Sequence, residues 1–123
     1  MIVRSGIDTI EISRLADIRE SIRKRFISRV YTTQEITQAR DRNDILAGLF
    51  AAKEAVSKAL GTGIGRVHWQ DIEILHLMTG QPVVHLHGHA KIKADELGLT
   101  EWSVSISHDR SKAIAVAVAI GDE

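Results

Sequence analysis

The stretch Phe50-Ala-Ala-Lys-Glu-Ala-Val-Ser-Lys-Ala-Leu-Gly-Thr-Gly63 determines how the rest of this chain is organised. From Ala47 to Ala59, alanines recur at every fourth position, which places them in one narrow stripe along a helix. Larger apolar side chains widen this stripe into a face that can be buried: Leu46, Leu49, Phe50, Val56 and Leu60. The pattern therefore predicts one long helix whose small residues let a sheet or another helix approach closely.

The ends of this helix are marked by residues of typical capping types. Asn43 or Asp44 can cap its first turn. Gly61 ends it, because glycine readily takes the left-handed conformation that closes helices. The loop Gly61–Trp69 comes after a helix rather than before one, so it is neither a dinucleotide-binding fingerprint nor a P-loop. Its backbone amides could approach a phosphate, and a flexible connector fits the sequence equally well.

One face of the helix carries residues from which a site could be built. Their spacing of three and four places these residues side by side: Glu54, Ser57, Lys58 and Gly61. Lys53 adds a second cation next to the carboxylate. A carboxylate beside cations, leading into a glycine-rich loop, suits a site for a metal ion and a phosphate.

The length and composition are those of an ordinary globular protein. The chain has 123 residues, and we expect one domain over residues 1–123 with a single core. Its formal net charge is zero, so bulk electrostatics points to neither nucleic acid nor a membrane as a partner. The lack of cysteine excludes disulfides and favours a reducing compartment. No apolar run reaches the roughly 18 residues of a membrane span, and there is no signal-peptide pattern, so we expect a cytoplasmic protein.

The N-terminal residues supply a second carboxylate of interest. Ile2–Ile7 alternates loosely between apolar and polar residues and predicts a first strand that ends at Gly6-Ile7-Asp8. A carboxylate just past a strand end, after a glycine, is well placed to face a cleft. Alternatively, Asp8 only caps the next helix, and the spacing does not decide between these roles.

The remaining segments predict further helices and strands. Apolar residues at spacings of three and four predict a helix over Ile12–Val30, and Thr33-Gln34-Glu35-Ile36 can start a short helix that reaches about Arg40. The predicted elements after the long helix are the strands Asp71–Leu77 and Pro82–His87, the helix Gly88–Leu97, and the strands Trp102–His108 and Lys112–Ile120. The last strand is apolar at nearly every position, so we expect both its faces to be buried, in the centre of a sheet or at a subunit interface.

The segment Ser21–Val30 contains four cations and no acid. Such a run is usually a solvated helix face. The functional alternative is a docking surface for an acidic partner, formed by this run together with Arg14.

Three alternating histidines, His85, His87 and His89, could indicate a zinc site. Gly88 interrupts the strand, however, and no cysteine or carboxylate completes a tetrahedral set, so a solvated strand face fits the sequence better.

Three segments stand in a fixed order along the chain: Gly6-Ile7-Asp8 with Glu11-Ile12-Ser13-Arg14 close behind, Phe50 to Gly63, and Trp102-Ser-Val-Ser-Ile-Ser-His108. Together they closely resemble bacterial holo-[acyl-carrier-protein] synthase, the small group of 4′-phosphopantetheinyl transferases. Each motif alone is weakly specific, but their joint order and spacing cover nearly the whole chain. The resemblance implies an α+β single domain in which an antiparallel sheet packs on the long helix, and a homotrimer with strands at the subunit interfaces.

The resemblance also implies a reaction and a role for particular residues. The family transfers 4′-phosphopantetheine from coenzyme A to a serine of apo acyl carrier protein with magnesium, in fatty acid biosynthesis, and releases adenosine 3′,5′-bisphosphate. Asp8 and Glu54 would be the magnesium ligands, and Lys58 would contact the coenzyme A phosphates. The residues beside the cofactor would be Gly61, Gly63, Ile64, Gly65 and His108. The residues docking the acidic carrier protein would be Arg14, Arg23, Lys24 and Arg25.

The residue types fit this chemistry. Phosphoryl transfer depends mainly on positioning and charge neutralisation, and two carboxylates suffice for a magnesium ion whose other positions are filled by phosphate oxygens and water. The proton of the incoming serine could go to a metal-bound hydroxide, to Glu54 or to His108. One departure from the family is Leu49, where many relatives have arginine, so a cation near the coenzyme A phosphates is missing or comes from elsewhere.

Two other functional classes fit the sequence less well. A magnesium-dependent nuclease or phosphatase would need more clustered carboxylates, and only Asp109 is an obvious addition. A non-enzymatic module that binds RNA through the basic helix would leave Glu54 unexplained.

Overall fold

The computed structural model describes residues 1–122, and in that range four helices follow the first strand and two strand pairs follow the helices, with one more helix between the pairs. In chain order they are β1 (Ile2–Glu11), α1 (Ser13–Ala16), α2 (Glu20–Val30), α3 (Thr33–Ala39), α4 (Asn43–Leu60), a 3-10 turn (Trp69–Asp71), β2 (Ile72–His76), β3 (Pro82–Leu86), α5 (Gly88–Glu96), β4 (Leu99–His108) and β5 (Lys112–Gly121). An antiparallel sheet of order β1-β5-β4 packs against α4, and the hairpin β2-β3 forms a second, smaller sheet. The expected α+β fold, with an antiparallel sheet on a long helix, is therefore confirmed.

Close approach between α4 and the sheet depends on small residues on both sides. A Cβ atom on Gly6 would overlap the carbonyl oxygen of Ala55, and one on Gly48 would lie 2.8 Å from the Ile106 side chain. The face of β5 that meets the helix consists of buried alanines: Ala113, Ala115, Ala117 and Ala119. The alanine stripe of α4 thus has a matching stripe on the sheet, which fixes how β1 lies along the helix.

The C-terminal end of α4 agrees with the prediction, but its N-terminal cap does not. Gly61 follows Leu60 in the left-handed conformation, with φ at 78°. Capping by Asn43 or Asp44 is wrong, because Arg42 occupies the cap position and no side chain caps the helix. The Asp44 carboxylate instead accepts hydrogen bonds from the Arg42 side chain, the shorter at 2.7 Å.

The predicted helix Ile12–Val30 is two helices, α1 and α2. Arg19 has an extended backbone, with ψ at 139°, which separates them. The apolar spacing persists across this break because both helices contribute to one groove against α4. The short helix α3 is capped by Thr32 rather than Thr33, and Thr32 forms a capping box with Glu35.

Strand β1 is longer than predicted and continues past Asp8 to Glu11. Ile10 opposite Ala113 is buried in the core, so the pairing with β5 continues through both residues. Asp8 consequently lies within the strand, opposite Ala115, and neither ends the strand nor caps a helix.

Strand β5 is central, as one alternative held, but only one of its faces is covered in the single chain. The outward side chains of β5 are 36–41% exposed: Ile114, Val116, Val118 and Ile120. Alternation along a strand sends the alanines to α4 and these β-branched residues to the other side. The expectation that both faces are buried is therefore wrong for one chain. Within residues 1–122, no helix is both long and apolar enough to cross a bilayer.

Candidate active site

Asp8, Glu54 and Lys58 meet where β1 crosses α4. The Nζ atom of Lys58 lies 3.1 Å from Oδ1 of Asp8 and also donates a hydrogen bond of 2.9 Å to the Ile7 carbonyl. Glu54 and Lys58 are one helical turn apart, so they share the face of α4 that meets Asp8. Because Gly6 lets the strand lie against the helix at this point, the sequence brings together two carboxylates that are far apart along the chain.

The electrostatics of this cluster are unbalanced toward negative charge. Partial burial raises the pKa of Glu54, the neighbouring Asp8 carboxylate raises it further, and Lys58 opposes both. The Lys58 side chain is 50% exposed and that of Asp8 is 19% exposed, so the cluster faces solvent. Carboxylate oxygens are the ligands that magnesium prefers, and a cation here would relieve the repulsion between the two acids. Within residues 1–122 no third metal-ligating side chain joins them.

Lys53 does not take part in this cluster, which corrects the expectation of a second cation beside Glu54. Its side chain is fully buried, and its Nζ atom lies 2.8 Å from Oε1 of Glu35. The same ammonium donates hydrogen bonds to the carbonyl oxygens of Trp69 and Ile72. Lys53 thus links α4 to α3 and the second sheet, and within residues 1–122 Lys58 is the one cation that contacts the cluster.

The glycine-rich loop begins one turn after Lys58 and is open. Gly63 and Gly65 both have positive φ, and no atom lies within 4 Å of a Cβ built at either position. Ile64 forms an isolated bridge with Val67, which turns the loop back. An open loop of this kind allows a ligand to approach the backbone directly.

His108 lies at the opposite end of α4. Its Nε2 atom is 3.8 Å from Oδ2 of Asp44, in the first turn of the helix. Glu54 is ten residues farther along, about 15 Å at the rise of an α-helix. The structure therefore does not bring His108 together with Asp8 and Glu54 within one chain.

Two other residues of interest are engaged elsewhere. Asp109 accepts hydrogen bonds from the amides of Ser111 and Lys112 in the turn before β5, and these amides hold its pKa below the usual range. Leu49 is 1% exposed and packs in the core. Asp109 is thus no third carboxylate for the cluster, and position 49 does not face the solvent in this chain.

The three alternating histidines do not converge on one point. His87 lies 3.1 Å from Glu73, whereas the ring of His89 in α5 lies 6.0 Å from that of His68. Within residues 1–122 these side chains form no metal-ligating group.

An apolar groove of about 270 Å³ lies between α1, α2 and α4, and a neighbouring pocket that contains Arg25 and Arg29 shares Ile22 and Phe26 with it. The groove is lined by Ile10, Arg14, Leu15, Ile18, Ile22, Phe26 and Phe50. The residues Arg14, Lys24, Arg25 and Arg29 are exposed. Arg23 differs from them, because its side chain is only 12% exposed and binds Asp41 at 2.9 Å and Asn43 at 2.7 Å.

Arg4 is a residue that the sequence analysis did not single out. Its Nε atom donates a hydrogen bond to the carbonyl oxygen of Ala59, in the last turn of α4. The available signal was the alternation of β1, which places Arg4 on the same face as Gly6 and Asp8.

Comparisons with known proteins identify relatives over nearly the full chain. Residues 4–118 match the family model of the 4′-phosphopantetheinyl transferase superfamily. The chain is 44% identical to the holo-[acyl-carrier-protein] synthase of Natranaerobius thermophilus, covering 99% of this chain and 100% of that protein. It is 50% identical to that of Moorella thermoacetica, covering 94% and 92%. The crystal structure of Helicobacter pylori holo-[acyl-carrier-protein] synthase in complex with coenzyme A superposes with a TM-score of 0.85 at 37% identity, covering 94% of this chain and 99% of that one.

Proposed function

The chain belongs to the holo-[acyl-carrier-protein] synthases of the 4′-phosphopantetheinyl transferase superfamily, and we propose that it transfers 4′-phosphopantetheine from coenzyme A to a serine of apo acyl carrier protein. The products would be holo-carrier protein and adenosine 3′,5′-bisphosphate. The observation that carries this proposal is the meeting of Asp8, Glu54 and Lys58 beside an open glycine loop. Fatty acid biosynthesis as the pathway and the cytoplasm as the compartment are parts of the same proposal.

Each of the three clustered residues has a task in this reaction. The serine oxygen forms a bond to the phosphorus that carries pantetheine, and the bond from that phosphorus to the bridging oxygen breaks, so that adenosine 3′,5′-bisphosphate leaves. Lys58 would bind a phosphate oxygen by charge, since half of its side chain is exposed. The serine proton would go to Glu54 or to His108, and the pKa of Glu54, raised by burial and by the Asp8 carboxylate, makes it a better proton acceptor than an ordinary glutamate.

Asp8 and Glu54 would also hold a magnesium ion. The fit rests on their donor chemistry and on their proximity, because partial burial raises the pKa of Glu54 and the Asp8 carboxylate raises it further. When bound, the ion would neutralise charge on the pyrophosphate. The family's open coordination, completed by substrate oxygens and water, is compatible with only two protein carboxylates.

We infer further that the protein works as a homotrimer with a site shared between chains. The exposed apolar row on β5 supports association, because a solvated sheet face seldom carries so many β-branched side chains. The distance between His108 and Glu54 supports sharing, because α4 holds them apart in one chain. Chains carrying His108→Ala and chains carrying Glu54→Ala should each be inactive, and their co-refolded mixture should regain part of the activity. A mixture as inactive as its components would contradict the shared site.

The basic groove between α1, α2 and α4 is the proposed docking surface for the carrier protein. Its apolar floor and its exposed cations, Arg14 and Arg25 among them, complement an acidic amphipathic partner. Arg23 would contribute by holding the turn between α3 and α4 against α2 through Asp41 and Asn43, rather than by direct contact.

The proposed transfer can be tested by mass spectrometry of the carrier. Apo acyl carrier protein is incubated with the enzyme, coenzyme A and magnesium, and its mass should rise by one phosphopantetheine group. The matched control is Asp8→Ala, which should fold but leave the carrier unmodified. An unchanged carrier mass with the unmodified enzyme would contradict the proposal.

A further inference from the structure

Arg4 contacts the C-terminal end of α4 outside the cluster of Asp8, Glu54 and Lys58. The hydrogen bond from its Nε atom goes to the carbonyl oxygen of Ala59. In a longer helix this oxygen would accept from the amide of Gly63, but that amide donates to Ser57 instead. The arginine therefore supplies the donor that the last turn of the helix lacks.

A second contact joins Arg4 to the start of the glycine-rich loop. Gly61 closes α4 in the left-handed conformation, and a Cβ atom on it would lie 2.7 Å from Nη2 of Arg4. The guanidinium group thus packs against the Gly61 backbone. Its positive charge lies at the negative end of the helix, where a cation is stabilising.

Arg4 and Lys58 join the last turn of α4 to β1 by hydrogen bonds that run in opposite directions. Lys58 donates from the helix to the Ile7 carbonyl of the strand, and Arg4 donates from the strand to the Ala59 carbonyl of the helix. Gly6 lies between them at the point of closest approach. The two opposed contacts, made by the consecutive residues Lys58 and Ala59, hold this turn at a fixed position relative to Asp8.

We propose that Arg4 is a positioning residue, which holds the end of α4 and the loop Gly61–Gly65 in the conformation that receives the coenzyme A phosphates. The inference rests on the proposed function, since it assumes that the loop meets coenzyme A. Without Arg4 the last turn would fray, and the loop amides would spend less time in the binding conformation.

The first test measures hydrogen exchange in the free protein and requires no activity. Three amides report on this turn, because Gly61 donates to Lys58 while Thr62 and Gly63 donate to Ser57. In Arg4→Met they should exchange roughly tenfold faster, as expected for the loss of one charge-assisted hydrogen bond. The exposed Arg110, in the turn before β5, provides the control Arg110→Met, which should leave them unchanged.

The second test measures coenzyme A binding by calorimetry without carrier protein, and then the kinetics of transfer. In Arg4→Met the Kd and KM for coenzyme A should rise roughly fivefold to tenfold, with kcat nearly unchanged at saturation, and Arg4→Lys should restore part of the affinity. A purely structural loss would lower the amount of active enzyme, and hence the apparent kcat, without moving KM.

The outcomes separate this inference from the proposed function. If the unmodified enzyme binds coenzyme A and Arg4→Met binds it equally well, the positioning role is overturned while the transferase function stands. Unchanged exchange at Gly61, Thr62 and Gly63 would overturn it as well. If the unmodified enzyme itself neither binds coenzyme A nor modifies the carrier, the proposed function fails, whatever the exchange data show.

Discussion

Lys53 and Lys58 lie five positions apart on α4, and the structure predicts opposite consequences of removing them. Replacing Lys53 with methionine keeps an apolar stem of similar length but removes the ammonium that faces Glu35. The Glu35 carboxylate is fully buried and would keep only its hydrogen bonds from the amides of Thr32 and Ile74. Removing one partner of a buried ion pair typically costs about 3–5 kcal/mol. Since small domains have about 5–15 kcal/mol of stability, Lys53→Met should remain folded at low temperature.

Replacing Lys58 should affect ligand binding and leave stability nearly unchanged. Its side chain is half exposed, and exposed ion pairs contribute only about 0.2–1 kcal/mol. Lys58→Met should therefore lower the free energy of unfolding by less than about 1 kcal/mol while raising the KM for coenzyme A. Lys53→Met should show the reverse, with an unchanged KM in the folded fraction. Urea denaturation followed by tryptophan fluorescence and the transfer assay measure both properties.

A double variant serves as the control for the buried pair. Glu35→Gln added to Lys53→Met removes the uncompensated charge and keeps an acceptor for one of the two buried amides, so it should recover part of the lost stability. The reasoning is refuted if Lys53→Met unfolds within about 1 kcal/mol of the unmodified protein. It is equally refuted if Lys53→Met raises the KM for coenzyme A as much as Lys58→Met does.

Three further predictions concern association, charge and docking. Val116→Glu on the outward face of β5 should give monomers in sedimentation equilibrium. The control Ile92→Glu, at a 56% exposed position on α5, should not. An unmodified protein that is monomeric and fully active would contradict the proposed trimer. Burial and the neighbouring carboxylate raise the pKa of Glu54, so the stability that it contributes is present below its ordinary pKa of 4.5 and is lost as pH rises through the raised value. Glu54→Gln should abolish transfer. Without magnesium at pH 7, its free energy of unfolding should exceed that of the unmodified protein by less than about 1 kcal/mol, because exposure screens the repulsion. Denaturation at pH 4.5 and pH 7 tests the sign of this pH dependence. Arg14→Glu and Arg25→Glu should raise the KM for carrier protein and flatten its salt dependence, and an unchanged salt slope would indicate a solvated face.

Periodicity predicted the central helix well because α4 is long and its alanine stripe fits a helix that packs closely against another element. The same reasoning placed Glu54 and Lys58 on a common face, and the structure shows that this face meets Asp8. It could not predict which of Lys53 and Lys58 is buried, since their spacing places them on different faces of the helix but does not show which face is covered. The answer depends on Glu35, which lies in another helix and 18 positions earlier.

The errors at β1 and β5 have a related cause. The strand predicted to end at Gly6-Ile7-Asp8 instead continues, because Asp8 lies on the helix-facing side of β1, where Lys58 compensates its charge. For β5, the unbroken apolar run predicts a strand that is buried on both faces. In the structure the run divides into alanines that face α4 and larger side chains that face outward. Residue size along the run, rather than hydrophobicity, separates the two faces. That division could have been read from the alternation of alanine with isoleucine and valine in Ala113–Ile120.

The two charge clusters on α4 differ in a way that distinguishes a structural element from a site. Around Lys53 the charges are matched, one carboxylate with one ammonium, and neither side chain is exposed. Around Lys58 two carboxylates share a half-exposed ammonium, and the pKa of Glu54 is raised by partial burial first and by the Asp8 carboxylate second. A fold selected only for stability would have little reason to keep two acids together at the point where a strand presses most closely on a helix. The missing positive charge is what the proposed magnesium ion, arriving with a pyrophosphate, would supply.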